Sequence, residues 1–317
     1  MSDHRRLFLL LVVCLLLVMP ACRDMGEDED EGNVPDTTGI SGIPAADDDD
    51  NDDNDDDHIG SDDDDGPQPP PGGTKYPIVM MHGFFGWGEA GPFSYYAGVV
   101  DDLTALGFEV IDPNVSPIHS MEHRSAQWVE AIDAVYAGRK INVVCHSQGG
   151  LDARYMISQL GWGDRIAAVV MVATPNQGSA LADYIADQLP APAQWAVDWV
   201  LNLLGMDWDG IYQISQAYIR NVFNPANPDD PRVAYYSYQT DCGDDCFFLL
   251  KPSHALLEQL EGANDGVVPT AGSAYGVEMG IEHADHWSVI GQPIGLTHDD
   301  HKQLYRDIAF LLQDEGF

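Results

Sequence analysis

The chain has 317 residues, with 52 Asp and Glu against 14 Lys and Arg and a formal net charge of −38 at pH 7. A nucleic-acid binder needs lysine and arginine to displace counterions from phosphates, so this balance excludes most such readings and no nucleic-acid partner is expected. At about 150 residues per domain the length allows one domain or two, and a 44% hydrophobic content is enough for one sizeable core.

The charge is uneven: residues 24–66 hold 20 acidic and no basic residues, whereas residues 75–317 hold 31 acidic and 11 basic. At the N-terminus, Arg5 and Arg6 precede the apolar run 7–19. That run suits an export signal and falls short of the roughly 20 residues that span a bilayer as a helix. Residues 1–21 are therefore expected to be removed as a lipoprotein-type signal peptide. Met19-Pro20-Ala21-Cys22 resembles a bacterial lipobox, in which Cys22 is lipidated and becomes the new N-terminus; an ordinary secretory signal is the alternative. The lipid reading makes the membrane a partner through acyl chains. It places the protein in the bacterial cell envelope, with the outer membrane favoured because Arg23, not Asp, follows the cysteine; otherwise the protein is secreted.

Residues 22–74 carry runs of aspartate between 47 and 65 and then Pro67, Pro69, Pro70 and Pro71. Repulsion between carboxylates and the scarcity of apolar side chains leave nothing to offset ordering entropy, which predicts a disordered tether. Weak calcium binding is the alternative, but the Asp and Gly spacing of a calcium loop is missing. From residue 75 to 317 apolar runs alternate with amphipathic stretches. Strands are expected at 76–81, 108–111, 141–144, 166–173 and 233–238, and helices at 95–106, 124–137, 149–160 and 301–312. In the second helix Trp128, Ile132, Val135 and Tyr136 share a face. Strands alternating with helices predict an α/β fold: a mostly parallel central sheet flanked by helices.

The junction of the strand 141–144 with the next helix reads Cys145-His146-Ser147-Gln148-Gly149-Gly150. A serine on a sharp strand-to-helix turn has its hydroxyl pushed out of the sheet, and small neighbours are required because the turn leaves no room. This is the nucleophile-elbow pattern Gly-x-Ser-x-Gly, with Cys145 in place of the first glycine and read as a packing residue. A serine hydroxyl needs a base and oxyanion donors. His82-Gly83-Phe84 after the first strand supplies one donor, the backbone N–H of Phe84, to join that of Gln148. Asn264-Asp265-Gly266 supplies an acid in the chain order Ser, Asp, His, and His283 and His286 both precede the last helix.

Tyr76-Pro77-Ile78-Val79 with His82-Gly83, Tyr95-Tyr96-Ala97-Gly98, Arg124-Ser125-Ala126-Gln127, His146 to Gly150, Thr174 to Ser179 and Asn264 to Val268 occur in one order. In that order the chain from residue 75 resembles the bacterial true lipases of the Pseudomonas and Burkholderia type, alpha/beta-hydrolases acting on triacylglycerols. Asn176 stands where the family has His. The resemblance implies a triad of Ser147, Asp265 and a histidine. Matching Asp285 to the family's Asp selects His283, whereas Ile290, Gln292 and Gly295 select His286, which we favour with His283 as alternate. The family's structural calcium uses two carboxylates, at positions that here read Lys251 and Ser288, so no metal and no cofactor are expected; Lys251 is a candidate to fill the ion's place.

With Cys14 in the signal and Cys22 lipidated, Cys242 and Cys246 are close enough to form a local disulfide in an exported protein. The family's own bridge is longer, and its second cysteine is absent near Thr270 and Ala271. A Cys-x-x-x-Cys zinc pair is the alternative, with no further ligand at regular spacing. A segment at about 179–221, with Trp195, Trp199, Val200, Leu201, Leu203, Leu204 and Trp208, reads as a lid or cap; a helical core outside the sheet is the bland alternative. The expected function is serine carboxylester hydrolysis, a lipase on acylglycerols. An esterase, thioesterase or phospholipase is the alternative, and a non-catalytic surface-anchored binding protein is the third reading. No residue of the chain identifies a folding chaperone as partner.

Overall fold

The computed structural model describes residues 73–84, 86, 94–117, 119–188, 194–195, 198, 208–292 and 300–317. The signal segment 1–21, Cys22 and the tether up to residue 72 lie outside the described residues, as do Trp199, Val200, Leu201, Leu203 and Leu204 of the expected cap.

Among the described residues six strands form one parallel sheet: β1 Ile78–Met81, β2 Val110–Ile111, β3 Ile141–His146, β4 Ile166–Val172, β5 Ala234–Thr240 and β6 Val277–Glu282, in the spatial order β2-β1-β3-β4-β5-β6. Every residue of β1, β3 and β4 is buried. This explains why they read as unbroken apolar runs: a parallel sheet is covered on both faces. Side chains then alternate between two cores. Ile78, Met80, Val144, Val170 and Val172 pack with helices α1 (Val99–Ala105) and α5 (His301–Asp314) through Val99, Leu103, Leu304, Ile308 and Leu312. Val79, Met81, Val143, Cys145, Val169 and Met171 pack with α2 (Met121–Tyr136) and α3 (Gln148–Gln159) through Trp128, Ile132, Ala153 and Met156. Each Val, Leu, Ile or Met among them contributes about 1.5–3 kcal/mol on burial. The Lys75 amide donates to the Phe317 carbonyl, so the two ends of the described domain meet.

Three expectations need correction. The first helix begins at Val99, not at residue 95, because Gly98 adopts a left-handed φ of 68° and breaks the helical path. Tyr95 and Tyr96 therefore stand in a turn before it. In α2, Val135 is 58% exposed and does not share the buried face of Trp128, Ile132 and Tyr136. The face carrying residues 128, 132 and 136 follows the i, i+4 row, and Val135 falls off its edge. Two elements are absent from the expected series: edge strand β6, whose Val277, Met279 and Ile281 are exposed, and helix α4 (Lys251–Glu261), which is amphipathic and carries Pro252 in its first turn.

Candidate active site

Ser147 sits between β3 and α3 with φ 55° and ψ −131°, one of two non-glycine residues with positive φ among those described. Such a conformation is strained for an L-residue and persists where the surroundings impose it. The neighbours explain the sequence requirement: a Cβ on Gly149 would lie 2.4 Å from the Met81 carbonyl oxygen, and one on Gly150 would lie 2.3 Å from Thr174 Oγ1. Cys145 is buried in the sheet, where burial pushes its thiol pKa far up and its Sγ faces the Val170 carbonyl oxygen. It packs and does not react.

His286, between β6 and α5, places Nε2 3.0 Å from Ser147 Oγ and Nδ1 2.8 Å from Asp265 Oδ2. Asp265 is fully buried and all its acceptor capacity is used: Oδ2 also accepts from Thr240 Oγ1 at 2.7 Å, and Oδ1 accepts from the amides of Val267 and Val268 at 2.9 and 2.7 Å. Four donors hold an anion in a fixed plane, the arrangement that sets a histidine tautomer and stabilises its cation. His283 lies on the surface, paired with Asp245 at 3.2 Å. The structure thus brings Ser147, Asp265 and His286 together and leaves His283 outside.

Gly83 and Phe84 follow β1 alongside the elbow. A Cβ on Gly83 would lie 2.6 Å from Ser147 Cβ, so only glycine lets this loop approach the nucleophile so closely. Gln148 is the first residue of α3, where the backbone N–H has no intrahelical acceptor and the helix end carries partial positive charge. The loop is held from two sides. The Tyr95 hydroxyl accepts from the Gly83 amide at 3.1 Å and bonds His146 Nδ1 at 2.7 Å. Arg124, buried in α2, donates to the His82 carbonyl at 2.6 Å and to the Ser116 carbonyl, and pairs with buried Asp152 at 2.8 Å. Burial and the Arg124 charge push the His82 pKa down to about 3. Burial and the nearby His286 hold the His146 pKa well below its usual value, so both imidazoles stay neutral at neutral pH. The His146 ring centroid lies 4.5 Å from that of His286, with the two planes tilted by 46°.

The sequence reading missed Tyr95, Thr240, Arg124 and Asp285 as positioning residues. Nothing in their local pattern marks them; the Tyr95 and Arg124 motifs were visible only through the family order. Replacing Tyr95 by Phe removes the hydroxyl between Gly83 and His146 and leaves two buried polar groups without a partner, a cost of about 1–3 kcal/mol each. The expected result is a fall in kcat of about tenfold on a soluble ester with KM nearly unchanged. An unchanged kcat would refute a positioning role for the hydroxyl.

The donors at the family's calcium positions do not fit that ion. Lys251 is exposed and its Nζ donates to the Asp244 carbonyl at the surface. Ser288 exchanges hydrogen bonds with Asp285. The Asp285 carboxylate is turned to backbone amides: Oδ1 accepts from Trp287 and Ser288, and Oδ2 from Phe247. It thereby ties the loop of His286 to the segment after Cys246. Asn176, in the place of the family's His, is buried and donates to the Ser273 carbonyl at 2.9 Å. EGTA is expected to leave both the melting temperature and the rate of ester hydrolysis unchanged, and a drop in either on chelation would contradict this account.

At the cap, Ser179 accepts from Leu181 N–H and donates to the Val267 carbonyl, while the Ala180 amide donates to Glu261. Trp195 is 70% exposed, and the Trp208 indole donates to Asp198 at 2.5 Å. A Cβ on Gly210 would lie 2.9 Å from Phe84 Cζ, so this segment reaches the loop beside the elbow.

Residues 73–203 match a family model described as a domain of unknown function (DUF7379). The chain is 29% identical over 233 residues to Triacylglycerol lipase 2 of Saccharomyces cerevisiae, covering 67% of this chain and 66% of the relative. It is 36% identical over 121 residues to the Triacylglycerol lipase of Vibrio cholerae, covering 37% of this chain and 38% of that protein. The chain thus spans less than two thirds of the curated relatives it matches. The mature lipase BlEst2 of Bacillus licheniformis superposes with a TM-score of 0.60 at 21% identity, over 77% of this chain and 94% of that one. The alpha/beta-hydrolase fold expected from the motif order is present, and the expected likeness to bacterial triacylglycerol lipases appears as sequence similarity over a little more than a third of the chain.

Proposed function

We propose that this alpha/beta-hydrolase, related to the bacterial triacylglycerol lipases, is a lipolytic serine hydrolase that cleaves the carboxylic esters of acylglycerols. The observation that supports the reading best is the continuous hydrogen-bond chain from Ser147 Oγ through both nitrogens of His286 to Asp265, set on a strained turn. Ser147 attacks the ester carbonyl while His286 Nε2 takes the hydroxyl proton. Asp265 holds the ring through Nδ1 and stabilises the imidazolium. The developing oxyanion is received by the backbone amides of Phe84 and Gln148. His286 then gives the proton to the leaving alcohol, and a water activated by the same ring releases the acid. The acylglycerol assignment rests on the relatives and on the apolar segment 179–221 as a lid; the triad itself accepts other acyl groups. Residues 1–21 act as a lipoprotein signal, Cys22 carries the lipid, and residues 22–74 hold the hydrolase away from an envelope membrane.

Labelling with a fluorophosphonate followed by peptide mapping is expected to mark Ser147 and to fail in Ser147→Ala. No labelling of the folded protein would sink the hydrolase reading. Hydrolysis of an emulsified triglyceride alongside a chain-length series of p-nitrophenyl esters tests the substrate class, and activity confined to short soluble esters would replace the lipase by an esterase. In membrane fractionation, activity should move to the soluble fraction in Cys22→Ser; activity that is soluble from the start contradicts the anchor.

A further inference from the structure

Cys242 and Cys246 flank a turn after β5, both buried, with Cα atoms 4.9 Å apart and a disulfide between them. His254 stands in the first turn of α4, eight residues beyond Cys246. Its ligating nitrogen and the two sulfurs lie within 4.8 Å of one another. Among the described residues no protein group is hydrogen-bonded to that ring; the hydrogen bonds of His254 are made by its backbone, whose N–H donates to the Leu250 carbonyl and whose carbonyl accepts from Asn264 Nδ2. Asp241, Asp244 and Asp245 adjoin the cluster in sequence, and the one nearby ammonium, Lys251, is turned to the Asp244 carbonyl. The stretch 241–254 thus carries three carboxylates against one ammonium.

We propose that the reduced form of the protein binds one divalent cation of the zinc class through Cys242 Sγ, Cys246 Sγ and a ring nitrogen of His254, with water in the fourth position. Two thiolates and an imidazole are the donors such a borderline ion prefers. At bond lengths of about 2.3 Å to sulfur and about 2.0 Å to nitrogen, tetrahedral ligand atoms stand roughly 3.5–3.8 Å apart. The three ligand atoms already lie within 4.8 Å of one another, about 1 Å beyond that spacing at most. The exchange is balanced: an external dithiol passes two electrons and two protons to the disulfide and becomes a disulfide itself, and the cation then displaces two thiol protons to solvent. A disulfide oxidant reverses the sequence and expels the ion. Either clamp bears on the same place, because the Asp241 carbonyl accepts from the amide of Ala284, two residues before His286, and the Cys242 amide donates to the carbonyl of Asn264, which precedes Asp265.

Titration of the full chain with Co²⁺, after reduction with a phosphine and removal of excess reagent, tests this without reference to activity. One equivalent is expected to bind with a thiolate-to-cobalt charge-transfer band and tetrahedral d–d absorption, displaced by Zn²⁺; the oxidised protein should show neither. His254→Gln leaves the disulfide untouched and should weaken binding of the reduced protein by about tenfold or more, and Cys242→Ser should abolish the band. A reduced, folded protein without a charge-transfer band overturns the proposal, as does a band and affinity unchanged in His254→Gln. If reduction itself loosens the fold, Zn²⁺ should restore the melting temperature, and failure to restore it counts equally against the site.

Discussion

Replacing His286 by alanine lowers kcat/KM for ester hydrolysis by at least about three orders of magnitude, whereas replacing His283 by alanine changes it by less than about twofold. The asymmetry follows from position. His286 is the ring whose two nitrogens join Ser147 Oγ and Asp265 Oδ2, and no other base stands within hydrogen-bond reach of the hydroxyl among the described residues. Without it the serine must ionise unaided, and what catalysis remains comes from oxyanion donors and substrate binding. His283 is exposed and pairs with an exposed aspartate, an ion pair that contributes little in water. Steady-state rates on a soluble p-nitrophenyl ester measure both variants, with fluorophosphonate labelling as a second readout of serine nucleophilicity. The reverse pattern would remove the triad from this account.

Replacing Arg124 by methionine destabilises the domain by about 3–5 kcal/mol. The Arg124–Asp152 pair is completely buried, and loss of one partner leaves the other charge in an apolar interior. Burial outweighs the pull of Arg124 and already holds the Asp152 pKa up at about 6, so removing Arg124 shifts it further upward. At roughly 2–4 °C per kcal/mol for a domain of this size, the melting temperature should fall by about 6–20 °C. The same guanidinium fixes the His82 carbonyl one residue before Gly83, so kcat should also fall by about ten- to a hundredfold. The double variant Arg124→Met with Asp152→Leu separates the two effects. Removing both charges should recover much of the stability, but not the rate, because the His82 carbonyl still lacks its donor. Recovery of rate together with stability would show that Arg124 acts on the fold alone. Lysine is a poor substitute, since one ammonium cannot span Asp152, Ser116 and His82 as the planar fork does.

Much of this site is written in short stretches of sequence. The elbow was legible because strand, serine and two small residues must be contiguous for the backbone to turn at Ser147, and the Asn264-Asp265-Gly266 turn was legible for the same kind of reason. The β3 and β4 runs announced strands buried on both faces. Strand β6 escaped notice because it is an edge strand with Val277, Met279 and Ile281 in solvent, so no burial constraint shaped its alternation. The start of α1 is not marked by Tyr95 and Tyr96, because the left-handed conformation of Gly98 decides the backbone path.

The choice between His283 and His286 shows where sequence stops. Both follow β6 and both satisfy the chain order of the triad; three residues separate an exposed ring from one aimed at a hydroxyl 139 positions away. The same holds for Tyr95 and Arg124, whose partners come from other elements of the fold, and for His254, whose proximity to Cys242 and Cys246 depends on how α4 folds back over the turn after β5. Sequence by itself determined the local geometry, because φ and ψ preferences, small-residue requirements and the periodicity of burial act between neighbours along the chain. Only the packing of helices on the sheet decided which distant side chains meet, because a hydrogen bond across the fold depends on ångström-scale placement of whole elements that no single segment encodes.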